Sequence, residues 1–307
     1  MFPEAARRTE FSNCPFERLL GVKAMKTGIN LLLWTPHVTA EHFPILKDLK
    51  KTGYDTVEIP IFEGTPDHYA MLGSELDRLG LERSVVSVIG PSGKNPLSPD
   101  KAARQAAVDY TKWVIDCTAA LGANILAGPM HSELGYFSGN APTAAERKHG
   151  ISFHRKAGDY AAKKKVRFAL EALNRFECYF LNTMEQLADY LDEVDHPAVK
   201  AMYDTFHANI EEKDPVKAIK TIRKHMIHVH ISENDRGTPG KGHVPWEATY
   251  KALRAVKYDD WLTIEAFGRA MPELAAATRV WRDFFPTRES VYREGYKQMK
   301  SGWAKAQ

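Results

Sequence analysis

From Met25 onward, short apolar runs alternate with longer stretches in which apolar residues recur every three or four positions. The short runs, rich in β-branched residues, read as strands and the longer stretches as amphipathic helices. The runs fall at residues 28–34, 56–61, 83–89, 124–128, 166–173, 199–205, 227–233 and 261–267. Between them, residues 104–121 show the helical pattern: Ala107, Tyr110, Val114, Cys117 and Leu121 line one face. Gly53, Gly80 and Gly122 follow helical stretches as C-caps. Eight βα units predict a parallel sheet that most economically closes into a single-domain (β/α)8 TIM barrel over residues 25–307, with a C-terminal helical segment. An open, doubly wound sheet is the alternative on pattern alone. No linker, low-complexity tract or composition shift divides the chain.

Residues 1–24 break this rhythm. They lack an apolar segment of signal-peptide type and carry Glu10 and Glu17, which argues against a transit peptide. The expectation is a disordered tail, or an extension wrongly placed ahead of a true start at Met25, with a surface arm as the competing reading. The 42 Lys and Arg nearly balance 39 Asp and Glu, and the basic residues are scattered, so nucleic acid is not an expected partner. No apolar run approaches the ~18–20 residues of a membrane span. Cys14, Cys117 and Cys178 are odd in number and lack CxxC spacing, which suits free thiols and a cytoplasmic location.

Barrels of this kind carry their chemistry where polar residues interrupt the C-terminal ends of strands. Four do so on successive strands: Glu171 on the fifth, Asp204 on the sixth, His230 on the seventh and Glu265 on the eighth. Burying three carboxylates and an imidazole together is costly unless a cation collects them. Three oxygen donors with one nitrogen point to one divalent ion, Mn²⁺ before Co²⁺ or Mg²⁺, rather than a structural zinc. Singly, each residue could equally cap a helix or pair with a lysine. His228, two residues before His230, reads as a hydrogen-bonded core histidine one layer deeper.

The segments 171–177 (EALNRFE), 203–212 (YDTFHANIEE) and 228–237 (HVHISENDRG) resemble the D-tagatose 3-epimerase and D-allulose (psicose) 3-epimerase family of the xylose-isomerase-like barrels. The resemblance spans residues 25 to 281 and is densest after residue 166. The order carboxylate, carboxylate, histidine, carboxylate, with steps of 33, 26 and 35 residues, is also similar to that family's metal site. The resemblance implies that Glu171, Asp204, His230 and Glu265 bind the metal and that Glu171 and Glu265 double as an acid/base pair. It suggests Glu177, His207 and Arg236 for the carbon 1 to carbon 3 end of a ketose. For Arg236 a salt bridge to Glu233 or Asp235 is the plainer reading. Trp34, His37 and the loop 128–137, with His131, are expected to shape the far end of the sugar.

The reaction so implied inverts carbon 3 of a free ketohexose or ketopentose, for example D-fructose to D-allulose or D-tagatose to D-sorbose, through a cis-enediolate. One carboxylate takes the carbon 3 proton and the other returns one to the opposite face. Rival readings are another sugar isomerase or dehydratase on the same scaffold, an endonuclease-IV-like DNA repair barrel, and a non-catalytic sugar-binding protein. The DNA repair reading needs extra histidines on early strands, and residues 84–89 (SVVSVI) offer none. The resemblance also implies a homodimer or homotetramer. Trp281, Phe284 and Phe285 could supply its interface or else cover the bottom of the barrel.

Overall fold

The computed structural model describes residues 25–306, so the expectations for residues 1–24 and for Cys14 fall outside the described residues. The eight strands are β1 (Lys26–Asn30), β2 (Thr56–Pro60), β3 (Glu82–Val86), β4 (Ile125–Gly128), β5 (Arg167–Leu170), β6 (Val199–Asp204), β7 (Met226–Ile231) and β8 (Trp261–Ile264). They close into one parallel barrel in sequence order, and β1 pairs with β8 from Lys26 opposite Trp261 to Ile29 opposite Ile264. The closed barrel rather than the open sheet is therefore the fold. Helices α1 (Phe43–Thr52), α2 (Pro66–Leu79), α3 (Lys101–Ala120), α4 (Ala144–Lys163), α5 (Met184–Val194), α6 (Thr205–Glu211), α7 (Pro215–Ile222), α8 (Trp246–Ala255), α9 (Pro272–Thr278) and α10 (Arg288–Lys305) surround it. Gly53, Gly80 and Gly122 each adopt positive φ at the helix ends where capping is expected.

The period-2 pattern of the strands sorts their side chains into two environments. Outward positions such as Ile29, Val57, Ile59, Val85, Leu126, Phe168, Leu170, Val229, Leu262 and Ile264 join the large core shared with the helices. Inward positions form three layers. At the N-terminal end, Ile125, Ala127, Ala169, Met202 and Trp261 make a small apolar plug. Above it lies a polar layer that includes Asn30, Glu58, His228 and His230, all buried. Leu32, Val86, Phe267, Ala275 and Val280 then form an apolar roof, with Phe62, Leu274 and Phe284 packed against it.

Several strands stop short of the apolar runs that announced them. The Asn30 side chain accepts from Leu32 N at 2.9 Å and turns β1 into a 3₁₀ helix, Leu31–Leu33. Between β6 and β7 the register shifts after Ala201, so Met226 and His228 face consecutive residues of β6. Past that irregularity the pairing is regular, and His228 and His230, two residues apart, share the inward side.

Candidate active site

The four strand-end residues converge. One ligand atom from each of Glu171, Asp204, His230 and Glu265 lies within 4.8 Å of the others, and all four residues are buried. Backbone accounting explains their placement. Glu171 and Glu265 follow immediately on β5 and β8, and their amides still donate to Gly128 and Ile231 carbonyls of neighbouring strands. Asp204 ends β6 and caps α6: its Oδ1 accepts from Phe206 N at 2.6 Å and His207 N at 3.0 Å. Its Oδ2 is thereby left facing the cluster, where it has no hydrogen-bond partner. Helix cap and candidate ligand are one residue, each role using a different oxygen.

His230 is held from behind. Its Nε2 lies 2.7 Å from Glu58 Oε1, while Nδ1 faces Asp204 Oδ2 at 3.5 Å and Glu265 Oε1 at 3.4 Å. Glu171 Oε1, Asp204 Oδ2 and His230 Nδ1 are all buried without a hydrogen-bond partner. Such atoms normally carry a partner, and a convergent set of lone pairs calls for a cation. The electrostatics agree. Burial and then the neighbouring Glu265 and Asp204 push the Glu171 carboxyl well above the usual range. Burial raises Glu265 to about 7, with His230 pulling against the shift. Burial disfavours the His230 imidazolium, yet Glu58 and Glu265 hold its pKa well above normal.

The three residues suggested for sugar contact form a second group against the first. Arg236 makes a two-pronged pair with Glu177, Nη1 to Oε1 at 2.9 Å and Nη2 to Oε2 at 3.2 Å. Its guanidinium lies 4.1 Å from the Phe206 ring centroid. The partner of Arg236 is therefore Glu177, not Glu233 or Asp235. His207 Nδ1 accepts from Asn174 N at 2.9 Å, and its Nε2 lies 3.5 Å from Glu171 Oε1 and faces the Arg236 Nη2 donor at 3.1 Å. Burial lowers the His207 pKa to about 4, which keeps the ring neutral.

Trp34 and His131 make contacts of other kinds. Trp34 packs 5.8 Å from the Tyr292 ring, in a cleft with Pro44, Ile45 and Arg288 between α1 and α10. His131 is fully buried, with Nε2 2.8 Å from the Glu171 carbonyl and Nδ1 3.0 Å from Ser132 Oγ, so neither ring nitrogen is left for a sugar. Phe284 and Phe285 lie beside Gly237 and Gly268, at the roof end of the barrel and not its bottom.

Two buried acids have roles that the sequence did not reveal. Glu58 lies in mid-strand on β2; its signal was an acid at an inward position between the outward-facing Val57 and Ile59. Burial opposes its charge, but His230 and His228 hold its pKa far below the ordinary range. Glu233, fully buried after β7, accepts from Asn234 N, Gly240 N, Val244 N and Trp246 Nε1 and so organises the loop that carries Arg236.

Comparison with known proteins agrees with this geometry. Residues 46–301 match the family model described as xylose isomerase-like TIM barrel. A Synechocystis sp. protein named "Probable ketose 3-epimerase" is 31% identical over 276 residues, covering 90% of this chain and 96% of its own. The D-psicose 3-epimerase of Enterocloster bolteae is 30% identical over 271 residues, covering 86% and 90% respectively. The crystal structure of D-allulose 3-epimerase from Methylomonas sp. in complex with D-allulose superimposes with a TM-score of 0.84 at 25% identity, over 91% of this chain and 97% of that one. With a closed eight-stranded barrel, a convergent acidic cluster and relatives of this kind over nearly its whole length, the chain belongs to the xylose isomerase-like TIM barrel family, among its ketose 3-epimerases.

Proposed function

We propose that Glu171, Asp204, His230 and Glu265 hold one divalent cation, Mn²⁺ by first choice and Co²⁺ or Mg²⁺ as substitutes, and that Glu171 and Glu265 exchange the carbon 3 proton of a free ketohexose or ketopentose. The observation that carries this reading is the convergence of Glu171 Oε1, Asp204 Oδ2 and His230 Nδ1, buried and unpartnered, in a cluster that Glu265 completes. An oxygen-rich set with a single imidazole fits these cations. When bound, the ion would act as a Lewis acid that lowers the cost of negative charge on the sugar oxygens.

The chain's own groups do the rest. One carboxylate removes the carbon 3 proton, and the other delivers a proton to the opposite face of the resulting enediolate. Burial raises both carboxyls, Glu265 to about 7 and Glu171 well above the usual carboxylate range, so each can carry a proton. The Arg236 guanidinium and the His207 ring, joined at 3.1 Å, form a cradle for one sugar oxygen that gains charge during the reaction. Glu177 keeps Arg236 in that cradle. His131 steadies the Glu171 backbone from outside the sugar pocket, and Trp34 belongs to the outer wall.

The substrates are ketoses of the kind named for the relatives, and other isomerisations on this scaffold are separated from this one by the product. The protein works in the cytoplasm, where Cys117 and Cys178 remain the buried free thiols they are in the structure. It assembles as a homodimer or homotetramer through the rim where Trp281 is 66% exposed. Stripping divalent ions from the enzyme and adding back Mn²⁺, Co²⁺ or Mg²⁺ against a panel of ketoses tests the reading. Loss of activity and its return as carbon 3 epimers support it; full turnover by the stripped enzyme overturns it.

A further inference from the structure

Behind the cation cluster, Glu58 is fully buried and gathers donors from several strands. Its Oε1 accepts from His230 Nε2 at 2.7 Å and from Asn30 Nδ2 at 3.1 Å. Its Oε2 accepts from Ser84 Oγ at 2.8 Å, and His228 Nε2 stands 2.8 Å away, off the line of a good hydrogen bond. Asn30 in turn is fixed by Leu32 N on its Oδ1, and its Nδ2 also lies 3.1 Å from Glu265 Oε1. A chain of contacts therefore runs from the middle of β2 to both His230 and Glu265.

We infer that Glu58 is a positioning residue that sets the tautomer and ring orientation of His230 and, through Asn30, the placement of the Glu265 carboxylate. An imidazole carries its proton on the nitrogen that faces an acceptor, and the other nitrogen then presents its lone pair. With Glu58 behind Nε2 and a cation held by the cluster, Nδ1 would be the bare nitrogen, and it is Nδ1 that faces Asp204 and Glu265. Glu58 lies outside the four-residue cluster, and its oxygens receive these donors on the far side of the ring, where it forms a second buried group with His228 and His230. The amide group of Asn30 divides its two hydrogens between Glu58 and Glu265, so the two carboxylates are oriented by one side chain. This inference rests on the cation reading of the four-residue cluster.

The test titrates Mn²⁺ into the metal-stripped full chain and compares the parent, Glu58→Gln and Ser84→Ala. A glutamine keeps the volume but offers one oxygen to donors that now meet a carboxylate, and its amide nitrogen, turned to His230, would move the ring proton onto Nδ1. Glu58→Gln is expected to weaken Mn²⁺ binding about 10–100-fold. Ser84→Ala removes one donor and leaves the carboxylate, so its affinity should stay close to the parent's. A folded Glu58→Gln protein that binds Mn²⁺ as tightly as the parent overturns the inference while leaving the cation site standing. A parent that binds no Mn²⁺ removes the cation reading and this inference with it. Should Glu58→Gln fail to fold, the tautomer is read in the Mg²⁺-loaded parent by nitrogen NMR on labelled histidine. His230 protonated on Nε2 supports the assignment, and His230 protonated on Nδ1 refutes it.

Discussion

Glu233→Gln should disable the loop that carries Arg236 without touching the cation cluster. The Glu233 carboxylate receives Asn234 N and Val244 N on Oε1, both at 3.1 Å, and Gly240 N at 2.7 Å with Trp246 Nε1 at 3.0 Å on Oε2. A glutamine of the same size must turn its NH₂ toward one of these donor pairs. Two hydrogen bonds to a charged group are then lost, each worth about 1.5–3 kcal/mol, so a cost of about 3 kcal/mol remains even if the loop relaxes. For a domain of this size that lowers the melting temperature by about 6 °C. Arg236 holds a left-handed backbone conformation, φ +60°, which only a well-anchored loop sustains. Its displacement should lower kcat/KM about 10–100-fold. Thermal melts, steady-state kinetics and Mn²⁺ titration together check this, with Mn²⁺ affinity near that of the parent. A melting temperature within a degree of the parent and unchanged kcat/KM would refute the role given to Glu233.

Glu171→Gln and Glu265→Gln should each lower epimerisation by at least ~10²–10⁴-fold, measured at saturating Mn²⁺ so that weaker metal binding does not masquerade as lost chemistry. His154 is fully buried, with Nδ1 2.6 Å from Tyr190 Oη, and burial lowers its pKa to about 3. Because its folded pKa lies below the unfolded value of about 6.5, the unfolded chain takes up protons first, and stability falls as pH drops from 6.5 toward 3. The loss from this one group is about 2 kcal/mol at pH 5. Urea unfolding at pH 7 and pH 5 should therefore show a smaller pH effect in His154→Gln than in the parent; equal effects would exclude His154 as a source. Truncating Glu177 to alanine leaves Arg236 buried and unpaired, which should cost about 3–5 kcal/mol in denaturant unfolding; a loss below 1 kcal/mol would show that Thr278 and water suffice to hold the guanidinium.

The barrel was legible in the sequence because eight apolar runs separated by helical stretches leave few other closures, and Glu171, Asp204, His230 and Glu265 stood out as charges at the ends of such runs. Glu58 was harder to see for the opposite reason: placed in mid-strand between Val57 and Ile59, it resembles an ordinary alternation of apolar and polar residues on a half-exposed strand. Only closure of the barrel turns that polar side inward. His131 and Trp34 were read as pocket residues because loops after strands commonly line pockets. The structure adds contacts of His131 to the Glu171 carbonyl and of Trp34 to Tyr292, between segments 40 and more than 250 residues apart, that local pattern does not encode. Glu233 was noticed only as a partner for Arg236, since nothing local shows that its carboxylate will meet amides from Gly240 and Val244.

Turnover in D₂O tests the central claim most directly. If Glu171 and Glu265 remove the carbon 3 proton on one face and return a solvent-derived proton on the other, the epimer formed from a protiated ketose must carry deuterium at carbon 3, read by NMR or mass spectrometry. The account predicts that label in every product molecule formed at early times. An epimerised product that keeps its original hydrogen at carbon 3 would contradict it.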